Sequence, residues 1–158
     1  VGAVPEGLKN RLIGLMHIGH VVESIEESVA TFRRVYGLDD DDIRLLPEFD
    51  GAPTRFAFVR VGGVEFELIE PLSDEFRAIL LGVKSGEGGI NHVAYRVDDI
   101  DKAMADLQSA GIRPGYVTPG GVIDTGRTRI AYLNPDDTGA LLIELVEVKP
   151  GTKGWFES

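Results

Sequence analysis

The chain contains no cysteine, which excludes disulfides, thiolate metal ligands and a cysteine nucleophile, and fits a reducing compartment. It is short of positive charge: 16 Lys and Arg stand against 26 Asp and Glu, for a formal net charge of −10. Nucleic-acid binding normally calls for a basic face toward phosphate, so no nucleic-acid partner is expected, and the acidity serves solubility. Long apolar runs are missing as well. None approaches the roughly 20 residues that cross a bilayer, so no membrane association is expected. Residues 1–15 read as an N-terminal extension carrying Pro5, Glu6, Lys9, Asn10 and Arg11 with no long apolar centre, which is unlike a signal peptide. The expected location is cytoplasmic.

What is present is ordinary for a globular protein, with 43% hydrophobic and 27% charged residues. A chain of 158 residues is one domain's worth of material and buries about two-thirds of its unfolded surface. Within that length a pattern occurs twice. His17-Ile18-Gly19-His20-Val21-Val22 returns as His92-Val93-Ala94-Tyr95-Arg96-Val97, and Phe66-Glu67-Leu68-Ile69-Glu70 returns as Ile143-Glu144-Leu145-Val146-Glu147. His17 and Glu67 are 50 residues apart, His92 and Glu144 are 52, and a duplicated unit accounts for both.

Each copy reads as β-α-β-β-β. In the first, a strand over 16–22 leads to Ser24 as N-cap with Glu27 three residues on, the signature of a capping box. Ile25, Val29, Phe32, Val35 and Tyr36 then form one apolar helical stripe, ended by Gly37. Strands are expected at 43–47, 54–61 and 64–70, the last two joined by Gly62-Gly63. Asp39–Asp42 reads as a solvated acidic loop. A link over 73–89 holds an amphipathic segment, Asp74 to Val83, followed by Gly86, Gly88 and Gly89. In the second copy a strand at 90–97, a helix over 99–110 stopped by Gly111, and strands at 113–118, 128–133 and 140–147 are expected, with turns at 119–124 and 134–139. The tail over 149–158 shows no periodicity and is expected to fray. The organisation is thus one domain, 16–148, built from modules 16–72 and 90–148.

Strand parity brings the chemistry together. Phe66 and Leu68, like Ile143 and Leu145, share the face that packs under the helices, so Glu67 and Glu144 point the other way. A carboxylate in an apolar strand is costly to bury unless paired or metal-bound, and here one occurs twice at equivalent positions. His17, Glu67, His92 and Glu144 form a candidate divalent site. Imidazole with carboxylate suits Zn, Co, Ni, Mn or Fe over Mg or Ca. His20 has the opposite parity to His17 and reads as a core or interface residue.

These motifs resemble the vicinal oxygen chelate superfamily, the glyoxalase and bleomycin-resistance fold, and within it the methylmalonyl-CoA epimerase family. That family reads His-Ile-Gly-Ile-Ala-Val, then Ile-Glu-Leu-Leu-Glu-Pro, then Gly-Gly-Ile-His-His-Ile-Ala-Phe-Arg-Val-Asp-Asp-Ile, then Ala-Phe-Leu-His-Pro and Ile-Glu-Leu. The corresponding segments here are His17–Val22, Phe66–Pro71, Gly88–Ile100, Ala131–Pro135 and Ile143–Leu145, within residues 16–148. The resemblance implies an α+β fold in which two βαβββ modules form a cupped mixed sheet. It implies metal ligands at His17, Glu67, His92 and Glu144 for a divalent Co, Mn, Ni or Zn ion. It further implies epimerase activity on an acyl-CoA or similar small-molecule substrate, and a homodimer.

Three departures stand out. The Glu-Gln-Gly stretch that holds a proton-shuttling base in the family corresponds to Glu48-Phe49-Asp50-Gly51-Ala52-Pro53, so the base falls on Asp50 or its neighbour Glu48. The His-His pair is Asn91-His92, and the His-Pro turn is Asn134-Pro135. Glu144 and Asp50 are the candidate acid and base. Arg96 shares the parity of His92, and Arg127 and Arg129 are read as surface cations or contacts for a CoA phosphate. A glyoxalase-type lyase or isomerase would use the same ligands on another substrate. A non-catalytic resistance protein would normally lack them.

Overall fold

A computed structural model describes residues 7–81 and 89–157. Residues 1–6 of the N-terminal extension, and Val83, Gly86 and Gly88 of the link, lie outside the described residues. The described chain is α+β, with β1 (Leu12–Val21), α1 (Ile25–Tyr36), β2 (Ile43–Leu45), β3 (Thr54–Val61), β4 (Val64–Pro71), α2 (Asp74–Leu81), β5 (Gly89–Val97), α3 (Ile100–Ser109), β6 (Ile123–Asp124), β7 (Thr128–Tyr132) and β8 (Ile143–Val148). Two βαβββ modules are present, with α2 between them. By compactness the chain divides into one unit of residues 17–92 and 153–158, and another of 1–16 and 93–152.

In the unit that begins at His17, β2, β3 and β4 are antiparallel neighbours and β4 runs parallel to β1, with His17 beside Glu65 and Gly19 beside Glu67. The β3–β4 turn is Gly62-Gly63, both with positive φ (56° and 83°), the backbone a two-residue hairpin turn requires. Ser24 accepts the Glu27 N–H at 3.2 Å and starts α1; Gly37, at φ 69°, ends it by donating its N–H to the Arg33 carbonyl. Ile25 and Phe32 are buried against Ile43, Ala57, Val59 and Leu68, with Val29 and Phe66 packed on them. Val35 and Tyr36, expected on that stripe, are exposed, although Tyr36 still meets Phe32 with ring centroids 5.4 Å apart. The four aspartates make a 3-10 turn rather than a loop: Asp39 caps it, Asp40 meets Arg33 at 2.6 Å and Asp42 meets Arg60 at 3.3 Å.

The same unit includes the tail from Lys153 onward, which does not fray over its described residues. Trp155 stacks on Phe58 with ring centroids 5.5 Å apart, and Phe156 lies under both Arg44 and Arg60, each guanidinium 5.0 Å from its ring.

In the other unit, β6, β7 and β8 are antiparallel and β8 runs parallel to β5. Asp99 caps α3 by accepting the Lys102 N–H at 3.1 Å, and α3 buries Ile100, Ala103, Met104 and Leu107 against Val97, Ala131, Leu133 and Leu145. The expected strand at 113–118 is not formed. Its only ladder contact is a bridge from Pro114 to Leu133; Pro114 has no N–H to donate, and Tyr116 adopts φ 58°. The short β6 lies instead within the stretch read as a turn.

Each module carries the same charge cluster at the start of its helix. The Glu70 carboxylate accepts the Ile25 N–H at 2.9 Å, and Glu147 accepts the Ile100 N–H at 2.8 Å. Arg55, cross-strand from Glu70, contacts Glu70 and Glu26; Arg129, cross-strand from Glu147, contacts Glu147 and Asp101. The duplication therefore extends to side-chain chemistry outside the strands that revealed it. No helix among the described residues is long and apolar enough to cross a membrane.

Candidate metal site

His17 sits on β1, Glu67 on β4 and His92 on β5. The alternation of β4 buries Leu68 under α1 and turns Glu67 to the opposite face, as its parity predicts. One donor atom from each of His17, Glu67 and His92 lies within 4.8 Å of the others. The two Nε2 atoms are 3.0 Å apart; Glu67 approaches His17 Nε2 at 3.8 Å and His92 Nε2 at 3.7 Å.

Burial keeps the imidazoles neutral. It lowers the His17 pKa to about 4, and burial together with the neighbouring His17 lowers that of His92 to about 3. Neutral nitrogen is the form that binds a cation, so these side chains are ready ligands at neutral pH. Two nitrogen donors and one carboxylate fit Zn, Co, Ni or Mn. The ring of His92 occupies the space a side chain at position 19 would need. A Cβ on Gly19 would fall 2.1 Å from His92 Cε1 and 2.3 Å from Nδ1, so glycine in the first repeat makes room for the histidine of the second.

Around these donors, Phe58 and His17 make a T-shaped contact with ring centroids 5.9 Å apart. The His92 Nδ1 pairs with Asn91 Oδ1 at 2.9 Å, and Asn91 Nδ2 donates to the Leu80 carbonyl at 3.0 Å. Sequence reasoning gave Asn91 no role beyond differing from a family motif. Its signal was adjacency to a ligand in a buried strand.

The remaining residues singled out in the sequence lie as follows. Glu144 on β8 is buried beside its cross-strand neighbour Tyr132; burial raises its pKa to about 7, against a lowering by the Tyr132 hydrogen bond. Asp50 lies on the exposed turn between β2 and β3, and Glu48 on the same turn is paired with Arg55. His20 packs against Phe32, 6.2 Å between ring centroids, with a buried Nδ1, as its parity predicts. Arg129 is held in a two-pronged contact with Asp101 at 2.7 and 2.9 Å, which gives it a structural engagement that neither sequence reading anticipated. Arg96 is exposed on β5.

Residues 16–132 match the Glyoxalase/Bleomycin resistance protein/Dioxygenase superfamily. The chain belongs to this superfamily. Among curated members, it is 29% identical over 131 residues to the mitochondrial methylmalonyl-CoA epimerase of Mus musculus, covering 83% of this chain and 71% of that protein. It is 26% identical over 141 residues to the ethylmalonyl-CoA/methylmalonyl-CoA epimerase of Cereibacter sphaeroides, covering 85% and 97%. The crystal structure of methylmalonyl-CoA epimerase from Mycobacterium tuberculosis superimposes with a TM-score of 0.69 at 28% identity, covering 94% of each chain. The superfamily match spans the first module and the second as far as Tyr132, and so contains His17, Glu67 and His92.

Proposed function

We propose that this superfamily member is a metal-dependent epimerase acting on methylmalonyl-CoA or a closely similar acyl-CoA thioester. The observation that carries the reading is the convergence of His17, Glu67 and His92, two neutral imidazoles and a carboxylate, in a chain similar to methylmalonyl-CoA epimerases across more than four-fifths of its length. His17, Glu67, His92 and Glu144 hold a divalent ion, taken from Co, Mn, Ni or Zn. When bound, the ion supplies positive charge where an enolate oxygen develops.

The chain's own residues do the rest. Glu144, one of the four groups that would hold the ion, is the carboxylate we assign to proton transfer at the α-carbon; in the metal-free chain burial raises its pKa to about 7. Asp50, on the exposed turn between β2 and β3, provides the second carboxylate. Glu48 is the poorer choice because Arg55 holds it. Arg55 and Arg129 are spent on the paired helix-start clusters, so binding of a CoA phosphate falls to other cations. A single domain over 16–148, a homodimer and a cytoplasmic location complete the reading; the exposed Leu12, Ile13 and Leu15 on β1 and the cysteine-free composition support the last two.

The test is solvent-proton exchange at C2 of methylmalonyl-CoA, followed by NMR with metal-free protein reconstituted separately with Co, Mn, Ni and Zn. Metal-dependent exchange that drops about 10²–10⁴-fold in Glu144→Gln is expected. No exchange with any bound metal would refute the epimerase reading.

A further inference from the structure

We propose that Asn91 is a positioning residue for the metal centre. It fixes His92 in the tautomer with its proton on Nδ1, leaves the Nε2 lone pair facing His17 and Glu67, and ties the ring to α2. The inference rests on the metal reading above for its functional meaning, while the tautomer itself can be read without metal.

A primary amide has one donating and one accepting end. The donating end of Asn91 is committed, since Nδ2 lies 3.0 Å from the Leu80 carbonyl oxygen, which can only accept. Turning the amide over would set two oxygens against each other. Oδ1 therefore faces His92 Nδ1 at 2.9 Å, and because this oxygen can only accept, the ring nitrogen must carry the hydrogen. Neutral imidazole has a single N–H, so Nε2 is left with its lone pair. That atom is the one directed at His17 Nε2, 3.0 Å away, and at Glu67, 3.7 Å away.

No solvent competes for these bonds, since Asn91 is 4% exposed and His92 1%. The anchor is firm as well. Leu80 is buried with Val21 and Ile69, and Phe76 and Leu81 of the same helix pack on them. A helix outside both modules thereby sets the protonation pattern of a ligand inside one. An N–H donated away from a metal also makes the opposite nitrogen a better electron donor, and loss of such a partner typically weakens metal binding 10–100-fold.

The experiment uses full-length protein with 15N-labelled histidine. Long-range 1H–15N spectra of the metal-free form give the His92 tautomer, and calorimetry with a competing chelator gives zinc affinity. The expected wild-type spectrum shows a protonated Nδ1 and a lone pair on Nε2. Asn91→Leu should give mixed tautomers and about 10–100-fold weaker zinc binding, with Asn91→Ala in its place if the Leu variant does not fold. A wild-type proton on Nε2, or a Leu or Ala variant with unchanged tautomer and zinc affinity, would overturn the proposal. Wild-type protein that binds no zinc would refute the metal reading instead, and the spectrum would still decide the role of Asn91.

Discussion

Gly19→Ala isolates the dependence of one repeat on the other. The backbone at Gly19 does not lie in the left-handed region, so alanine is allowed there conformationally. The added methyl meets His92 instead, at 2.1 Å from Cε1, 2.3 Å from Nδ1 and 2.6 Å from Nε2. Real carbon contacts lie near 3.5–4.0 Å, so the ring must move by more than 1 Å. It is 1% exposed, so it cannot simply swing out into solvent. Overpacking of a closed core costs about 1–3 kcal/mol, and loss of the Nδ1 bond to Asn91 adds about 1 kcal/mol. A total of about 2–4 kcal/mol corresponds to a fall in Tm of roughly 5–15 °C for a chain of this size. Thermal melts of metal-free protein measure the loss of stability, and zinc calorimetry measures the displaced ligand. Gly14→Ala is the control, because nothing lies within 4 Å of its added Cβ. If Gly19→Ala melts like Gly14→Ala and binds zinc like wild type, the reasoning is wrong.

Three further outcomes are expected. In metal-free protein, His17 and His92 have folded pKa values below the unfolded 6.5, so their contribution is present above pH 6.5 and lost as pH falls. Glu144 is raised from 4.5 to about 7, so its contribution is present below pH 4.5 and lost as pH rises through 7. Between pH 4.5 and 6.5 the unfolded chain holds two of these protons and the folded chain one. Stability from the three groups should rise by about 1.4 kcal/mol per pH unit and peak near pH 6.5, a rise that urea titrations should find turned into a fall in a His17→Asn, His92→Asn double variant, where Glu144 alone remains. Adding zinc at about 100 times its Kd should stabilise the wild type by about 2.7 kcal/mol, and an unchanged melting curve would argue against the site. Glu70→Ala and Glu147→Ala each remove the carboxylate that accepts a helix-start N–H; each should cost about 1–3 kcal/mol, and a large difference between the two would show that the clusters are not equivalent.

The sequence disclosed most where periodicity and local capping decide the structure. Thr54–Val61 and its glycine turn, the Ser24 cap, and the opposite facing of Leu68 and Glu67 all follow from short-range rules. It disclosed least where partners are distant in the chain. Arg129 resembled a surface cation and Arg55 drew no reading, because their cross-strand glutamates appear only once the β3–β4 and β7–β8 registers are known. The 113–118 segment has strand-like composition, yet a close approach sets its path: a Cβ on Gly115 would lie 2.8 Å from that of Asn134. The tail lacks periodicity because it is held by two aromatic side chains, Trp155 and Phe156, rather than by a regular element.

Trp155 is the sequence's single tryptophan, and it stacks on Phe58, whose ring in turn meets His17. The protein thus carries a built-in optical probe one ring removed from a proposed ligand. A paramagnetic ion such as cobalt or nickel bound at His17 should quench indole emission, whereas closed-shell zinc should leave it bright. Competition between metals can then be followed by light alone, without any label.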